Sequence, residues 1–241
     1  MLPLFKEYPL LADRLPHVAL GEFPTPVQEL DRLGSETSIA RLYVKRDDLS
    51  GKLYGGNKPR KLEFTLGDAL RSGAKEVLTF GGAGSNHALA TAIYARQAGL
   101  RSISMLAPQP NARYVRDNLL MSHKCGAELH SCGGETPSPG SIVLGFLATI
   151  YQLVRHRVKS GRFPYVIPMG GSSLLGITGF VNAAFELREQ MAAGEMAAPE
   201  CIYVACGTMG TTAGLVLGLR AAGLDSRVVS VRVTSEDTAN R

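Results

Sequence analysis

Between residues 40 and 233 the chain alternates short apolar runs with longer amphipathic ones, and glycines mark many of the changes of period. Strands are expected at 40–45, 76–80, 101–106, 127–131, 165–168, 201–205 and 227–233. Between them, apolar stripes at helical spacing predict helices over 57–72, 85–97, 112–124, 141–159, 174–193 and 211–222. Gly73, Gly99 and Gly126 stand where three of these should stop. Strand following helix without interruption implies right-handed crossovers and parallel sheets covered on both faces, an α/β architecture. Residues 1–39 read as an irregular arm with one or two short helices. Phe23-Pro24-Thr25-Pro26-Val27 is extended or turned there, because a residue before proline is driven out of the α region. The last expected strand has no helix after it, so a fragment, or a partner that covers its face, is expected.

A chain of 241 residues, 45% of them hydrophobic, can bury one large core or two smaller ones. No run is long and apolar enough for a membrane span, and Lys6 and Glu7 interrupt the apolar start, so a cytoplasmic location is the expectation. The formal charge of +5 is spread without a block and aromatic residues are few, which argues against nucleic acid while leaving small anions as ligands. Cys125, Cys132, Cys201 and Cys206 have no zinc spacing and are expected as free thiols, with no metal.

Three loops fall at the carboxyl ends of expected strands, where open parallel sheets bind ligands. The first, Gly55-Gly56-Asn57-Lys58-Pro59-Arg60, sets a lysine on the opening turn of a helix, with Asn57 as an N-cap candidate and proline suited to the first helical positions. The positive helix end and partial burial would lower the Lys58 pKa and leave an amine able to form a Schiff base. The alternative is that Lys58, Arg60 and Lys61 form a solvated basic face. The second loop, residues 81–87, presents Ser85, Asn86 and His87 at a helix start, where they could hold a carboxylate or move a proton; the alternative for Ser85 is a plain N-cap. His123, His130 and His156 lie in strand or helix bodies and read as ordinary residues. The third, Gly207-Thr208-Met209-Gly210-Thr211-Thr212, has the character of a phosphate cradle, with glycines for close approach and amides at a helix start; a tight turn for packing is its alternative.

Gly-Gly-Asn-Lys-x-Arg-Lys-Leu-Glu-Phe (55–64), Ser-Asn-His (85–87), Pro-Tyr-Val-Ile-Pro-x-Gly-Gly-Ser (164–172) and Gly-Thr-x-Ala-Gly-Leu (210–215) occur in that order. Together they resemble the D-cysteine desulfhydrase and 1-aminocyclopropane-1-carboxylate deaminase family of pyridoxal-phosphate enzymes. The resemblance implies a tryptophan synthase β-like fold (fold type II), with 1–60 and 165–241 as a larger cofactor domain and 61–164 as a smaller inserted one. It implies pyridoxal 5'-phosphate bonded to Lys58, Asn86 on the cofactor's phenolic oxygen, and residues 207–212 around its phosphate. Ser85 would bind the substrate carboxylate or help move a proton, with His87 beside it. The implied reaction is a lyase or deaminase step on a small amino acid, with D-cysteine giving pyruvate, ammonia and sulfide. His87 favours the desulfhydrase branch, since the deaminases carry glutamine there; Gly84 replaces a glutamine usual in both and would make the pocket roomier. Family members resemble homodimers and are longer, so a C-terminally truncated chain is expected, and a non-catalytic cofactor-binding remnant is the reading from another class.

Overall fold

The computed structural model describes residues 1–134 and 138–234; residues 135–137, between the strand expected at 127–131 and the helix expected over 141–159, lie outside them. Helices α1 (Pro3–Glu7) and α2 (Leu10–Arg14) come first, then strand β1 (Val27–Glu29), helix α3 (Asp31–Thr37) and strand β2 (Tyr43–Lys45). The alternation follows as α4 (Lys58–Arg71), β3 (Glu76–Gly82), α5 (Asn86–Gln97), β4 (Arg101–Ala107), α6 (Arg113–Lys124), β5 (Glu128–Ser131), α7 (Pro139–Ser160) and β6 (Tyr165–Ile167). Next come α8 (Leu174–Ala192), β7 (Cys201–Cys206), α9 (Gly210–Ala221) and β8 (Arg227–Arg232). Two compact units result, one of Met1–Leu15, Gly21–Glu63 and Ser172–Arg241, the other of Pro16–Leu20 and Phe64–Gly171.

The second unit is built on a parallel sheet in the order β5-β4-β3-β6. The chain steps outward from β3 to β4 to β5, then returns through α7 to the far side of β3, so the order reverses at β3. Central position explains the apolar run Val77-Leu78 and the buried Thr79, and α5 is buried on nearly every side from His87 to Ala95. Leu78, Ile103 and Met105 form a core on which Ala148 and Leu153 of α7 pack. The amino ends of the strands carry a charge network instead. Buried Glu76 pairs with His156 Nδ1 (3.0 Å) and Arg101 Nη2 (2.8 Å), while Glu128 pairs with Arg155 and with His130 Nε2 (2.9 Å). His156 and Arg155 therefore stitch α7 to strand starts, with His130 joined to the same helix through Gln152 Nε2 (3.1 Å), at the opposite end of the sheet from the loop that follows β3.

In the first unit β7 and β8 run parallel, and Phe180, Ala183 and Leu215 pack with Ile202, Val204 and Val228. Glycine lets α9 approach α8: a Cβ at Gly214 would lie 2.6 Å from Phe180 Cβ, and one at Gly218 2.8 Å from Val181 Cα. Two features depart from expectation. Strand β2 pairs antiparallel with β1 (Val27↔Lys45) rather than joining a parallel sheet, because the proline-rich segment is extended and supplies it an edge. Strand β6 hydrogen-bonds to β3 (Val77↔Tyr165), so the unit boundary falls at Ser172, beyond the expected position at 165.

Candidate functional site

The first turn of α4 is locked from below by the side chain that would have made it a solvated face. Arg60 is 2% exposed; it donates through Nη1 to Glu186 Oε2 (2.9 Å) and through Nη2 and Nε to Asp47 Oδ1 (2.7 Å) and Oδ2 (2.9 Å). Thr25 Oγ1 accepts from Arg60 Nη2 (3.0 Å) and donates to Asp47 Oδ1 (2.9 Å), and Phe23 lies under the guanidinium, 4.4 Å to the ring centroid. Lys45 joins the same cluster on Glu186 and Gln190 Oε1 (2.7 Å). Burial alone would lower the Arg60 pKa, but its hydrogen bonds and charge pairing with Glu186 and Asp47 raise it, so the cation is permanent. Two cations and two carboxylates balance, and the helix start has little freedom left.

On that fixed turn Lys58 is half-buried, and desolvation lowers its pKa. Its Nζ donates to Asn57 Oδ1 (2.8 Å), and Asn57 Nδ2 donates to Thr211 Oγ1 (3.1 Å) in the first turn of α9. One carboxamide thus joins the Lys58 loop to the glycine-threonine turn. One helical turn on, Lys61 is 1% exposed, and burial, with the charge of Lys58 adding to it, pushes its ammonium down to about 7 although Cys206 opposes this. Lys61 Nζ donates to Ser172 Oγ (3.3 Å), which shares a hydrogen bond with Thr208 Oγ1 (2.7 Å).

These groups converge on the start of α9. A Cβ at Gly210 would strike Ser172 Oγ and come within 2.7 Å of Lys61 Nζ, so only glycine lets the helix start meet them. At Gly207 a Cβ would meet nothing within 4 Å, which leaves open space over the turn. Met209 holds φ 60°, a left-handed conformation uncommon outside glycine, and its carbonyl accepts the first α9 bond from Ala213. An ammonium, two hydroxyls and the amides of a helix start thus come together as a candidate anion cradle. Thr212 differs: its hydroxyl bonds Ser230 of β8 (2.8 Å). Lys61 and Ser172 were not singled out in the sequence; the spacing of Lys61 from Lys58, one turn along a helix, was the available signal.

In the other unit Ser85 caps α5, its Oγ accepting from Ala88 N (3.2 Å), so the capping role is real. Asn86 is exposed and its Oδ1 accepts from Asn118 Nδ2 (2.9 Å); Asn118 Nδ2 also donates to the Gly84 carbonyl (2.8 Å). Asn118, which the sequence did not point to, therefore fixes which end of the Asn86 amide is the donor. His87 turns inward instead of lying beside these two: it is 3% exposed, with Nε2 2.9 Å from Thr79 Oγ1. Since Thr79 Oγ1 donates its proton to the Ile167 carbonyl (3.1 Å), His87 Nε2 is the donor of that pair. Gly84 does not open room either, because a Cβ there would lie 2.7 Å from Tyr114 and 2.8 Å from Val115. The side chain of Gln109 reaches back to this turn, its Oε1 accepting from Gly84 N (2.9 Å).

Residues 18–241 match the family model described as pyridoxal-phosphate dependent enzyme. A D-cysteine desulfhydrase of Salmonella choleraesuis is 35% identical over 226 residues, covering 92% of this chain and 65% of that protein. A Pyrococcus horikoshii protein provisionally named 1-aminocyclopropane-1-carboxylate deaminase is 37% identical over 228 residues, covering 95% of this chain and 66% of its own. The crystal structure of an ACC deaminase homologue superposes with a TM-score of 0.78 at 37% identity, over 94% of this chain and 65% of that one. A threonine deaminase at 21% identity (TM-score 0.64; 86% of this chain, 59% of that one) shares the fold. The chain thus spans a little under two thirds of the length of the proteins it matches.

Proposed function

Because the chain belongs to the family of pyridoxal-phosphate dependent enzymes, we propose that it is a lyase or deaminase of a small amino acid, most like D-cysteine desulfhydrase. The observation that carries this is the half-buried Lys58 amine, tied through Asn57 to Thr211 of the anion cradle. Pyridoxal 5'-phosphate fits these residues, for its aldehyde needs an amine that can lose its proton and its phosphate needs a cation with several donors. Lys58 supplies the first, and its lowered pKa leaves more of the amine unprotonated. Lys61, Thr208, Ser172 and the amides of Gly210, Thr211 and Thr212 supply the second, with Gly207 and Met209 shaping the turn. Bound there, the cofactor supplies an electron sink for bond breaking at the substrate α-carbon.

Asn86, oriented by Asn118, is assigned to donate to the cofactor's phenolic oxygen. Ser85 is assigned to the substrate carboxylate or to proton transfer at its Oγ, with His87 supporting the same turn from within through Thr79. With D-cysteine and water the products are pyruvate, ammonia and sulfide, and the active form is assigned as a cytoplasmic homodimer; four free thiols accord with a reducing compartment. Among the described residues no helix is long and apolar enough to cross a membrane.

The cyclopropane amino acid is the second reading, favoured by the names of the 37%-identical relative and of the superposed structure. Release of a 2-oxo acid from D-cysteine, L-cysteine and 1-aminocyclopropane-1-carboxylate separates the two. Turnover of D-cysteine with sulfide release supports the leading assignment. Cofactor bound at Lys58 with no turnover of any of the three identifies a cofactor-binding chain without catalysis.

A further inference from the structure

Helix α7 is apolar on its inner face and apolar again on its outer one. Gly145, Gln152 and His156 are buried, and Ala148 and Leu153 pack on the sheet core. The opposite arc centres on Val143, Leu147, Ile150 and Val154, a 4-3-4 spacing that draws a straight seam along a helix about 33 Å long. These are open to solvent, and so are their flanks: Ile142 is 70% exposed, Phe146 65%, Tyr151 62% and Val158 81%. A soluble chain seldom leaves so continuous an apolar face uncovered.

We propose that this face is the contact between two copies of the chain, α7 packing antiparallel on its counterpart across a two-fold axis near Ile150. The inference rests on the homodimer reading above and assigns it a surface. Three features select a second copy. The exposed apolar side chains of the seam and its flanks offer on the order of 700 Å², close to the ~800 Å² per partner of a stable interface. The seam has heptad-like spacing, so what fits it is another helix with the same seam. Charge then sets direction: α7 has no acidic residue, and Arg155, Arg157 and Lys159 all lie in its last turns. A parallel pairing would stack those cations, whereas an antiparallel one carries the two basic ends to opposite ends of the contact and sets the helix dipoles against each other.

Sedimentation equilibrium on the wild-type chain, on Ile150→Glu and on Ile150→Leu, each checked by far-ultraviolet circular dichroism, tests this. Expected are a wild-type mass twice the 25.7 kDa of the chain at micromolar concentration, the same for Ile150→Leu, and a helical monomer for Ile150→Glu, its dissociation constant raised at least about 100-fold. A wild-type dimer that Ile150→Glu leaves intact overturns the surface and spares the homodimer reading. A monomeric wild type overturns both.

Discussion

Lys58 and Lys61 stand one turn apart on α4, and burial lowers both ammonium pKa values, yet their partners differ: an amide oxygen for Lys58, a serine hydroxyl beside the helix start for Lys61. On the proposed assignment Lys58 is the amine that would bond the cofactor's carbon and Lys61 the cation that would meet its phosphate. Lys61 has a folded pKa of about 7 against 10.5 unperturbed, so the cost of burying its charge is fully present below about pH 7 and fades as pH rises from there towards 10.5. A phosphate dianion reverses that cost by pairing with the charged form. Affinity for pyridoxine 5'-phosphate, which has no aldehyde, should therefore fall above about pH 7, by up to about tenfold per unit. Fluorescence titration should show Lys61→Met binding roughly 10–100-fold more weakly at pH 6 and without that slope; an unchanged slope would remove Lys61 from the cradle. Gly210→Ala should weaken the same ligand comparably, since the added methyl strikes Ser172.

At the scale of elements, the rigid start of α4 depends on Arg60 and Glu186, side chains that are 1% and 2% exposed. Removing Arg60 leaves two carboxylates, Glu186 and Asp47, with Lys45 as the one cation of the cluster, so Arg60→Met should lose roughly 3–5 kcal/mol in urea unfolding. A loss under about 1 kcal/mol would mean the pair does not hold the turn. Most elements were legible because glycine stops and a changing period coincide; α5, expected at 85–97, is Asn86–Gln97. Strand β1 was not, being three residues long and lying directly after Pro24 and Pro26. Nor was the burial of Arg60 and Lys61, since a run of cations ordinarily signals solvent, and only tertiary partners far along the chain, Glu186 and Ser172, reverse that reading. Likewise the adjacency of Ser85, Asn86 and His87 in sequence concealed that the third turns inward, as the 100° step of a helix requires of some neighbour.

For the whole molecule, opposite ends of the parallel sheet serve different ends: glycine loops and polar side chains at the carboxyl end of β3, a charge network at the strand starts. Burial raises the Glu128 pKa, but hydrogen bonds from Arg155 and His130 outweigh it and bring the carboxyl to about 2, against 4.5 unperturbed. Its contribution to stability is complete above about pH 4.5 and is lost as pH falls through about 2. Glu128→Gln should therefore be less stable than wild type at pH 6 and converge with it near pH 2, followed by thermal unfolding; parallel curves would contradict the network. The measurement closest to the central claim is borohydride reduction of the chain incubated with pyridoxal 5'-phosphate, followed by peptide mapping. Label on Lys58, abolished in Lys58→Ala and retained in Lys61→Met, is the expected result; label settling on Lys61 or elsewhere, with Lys58 unmodified, would contradict it.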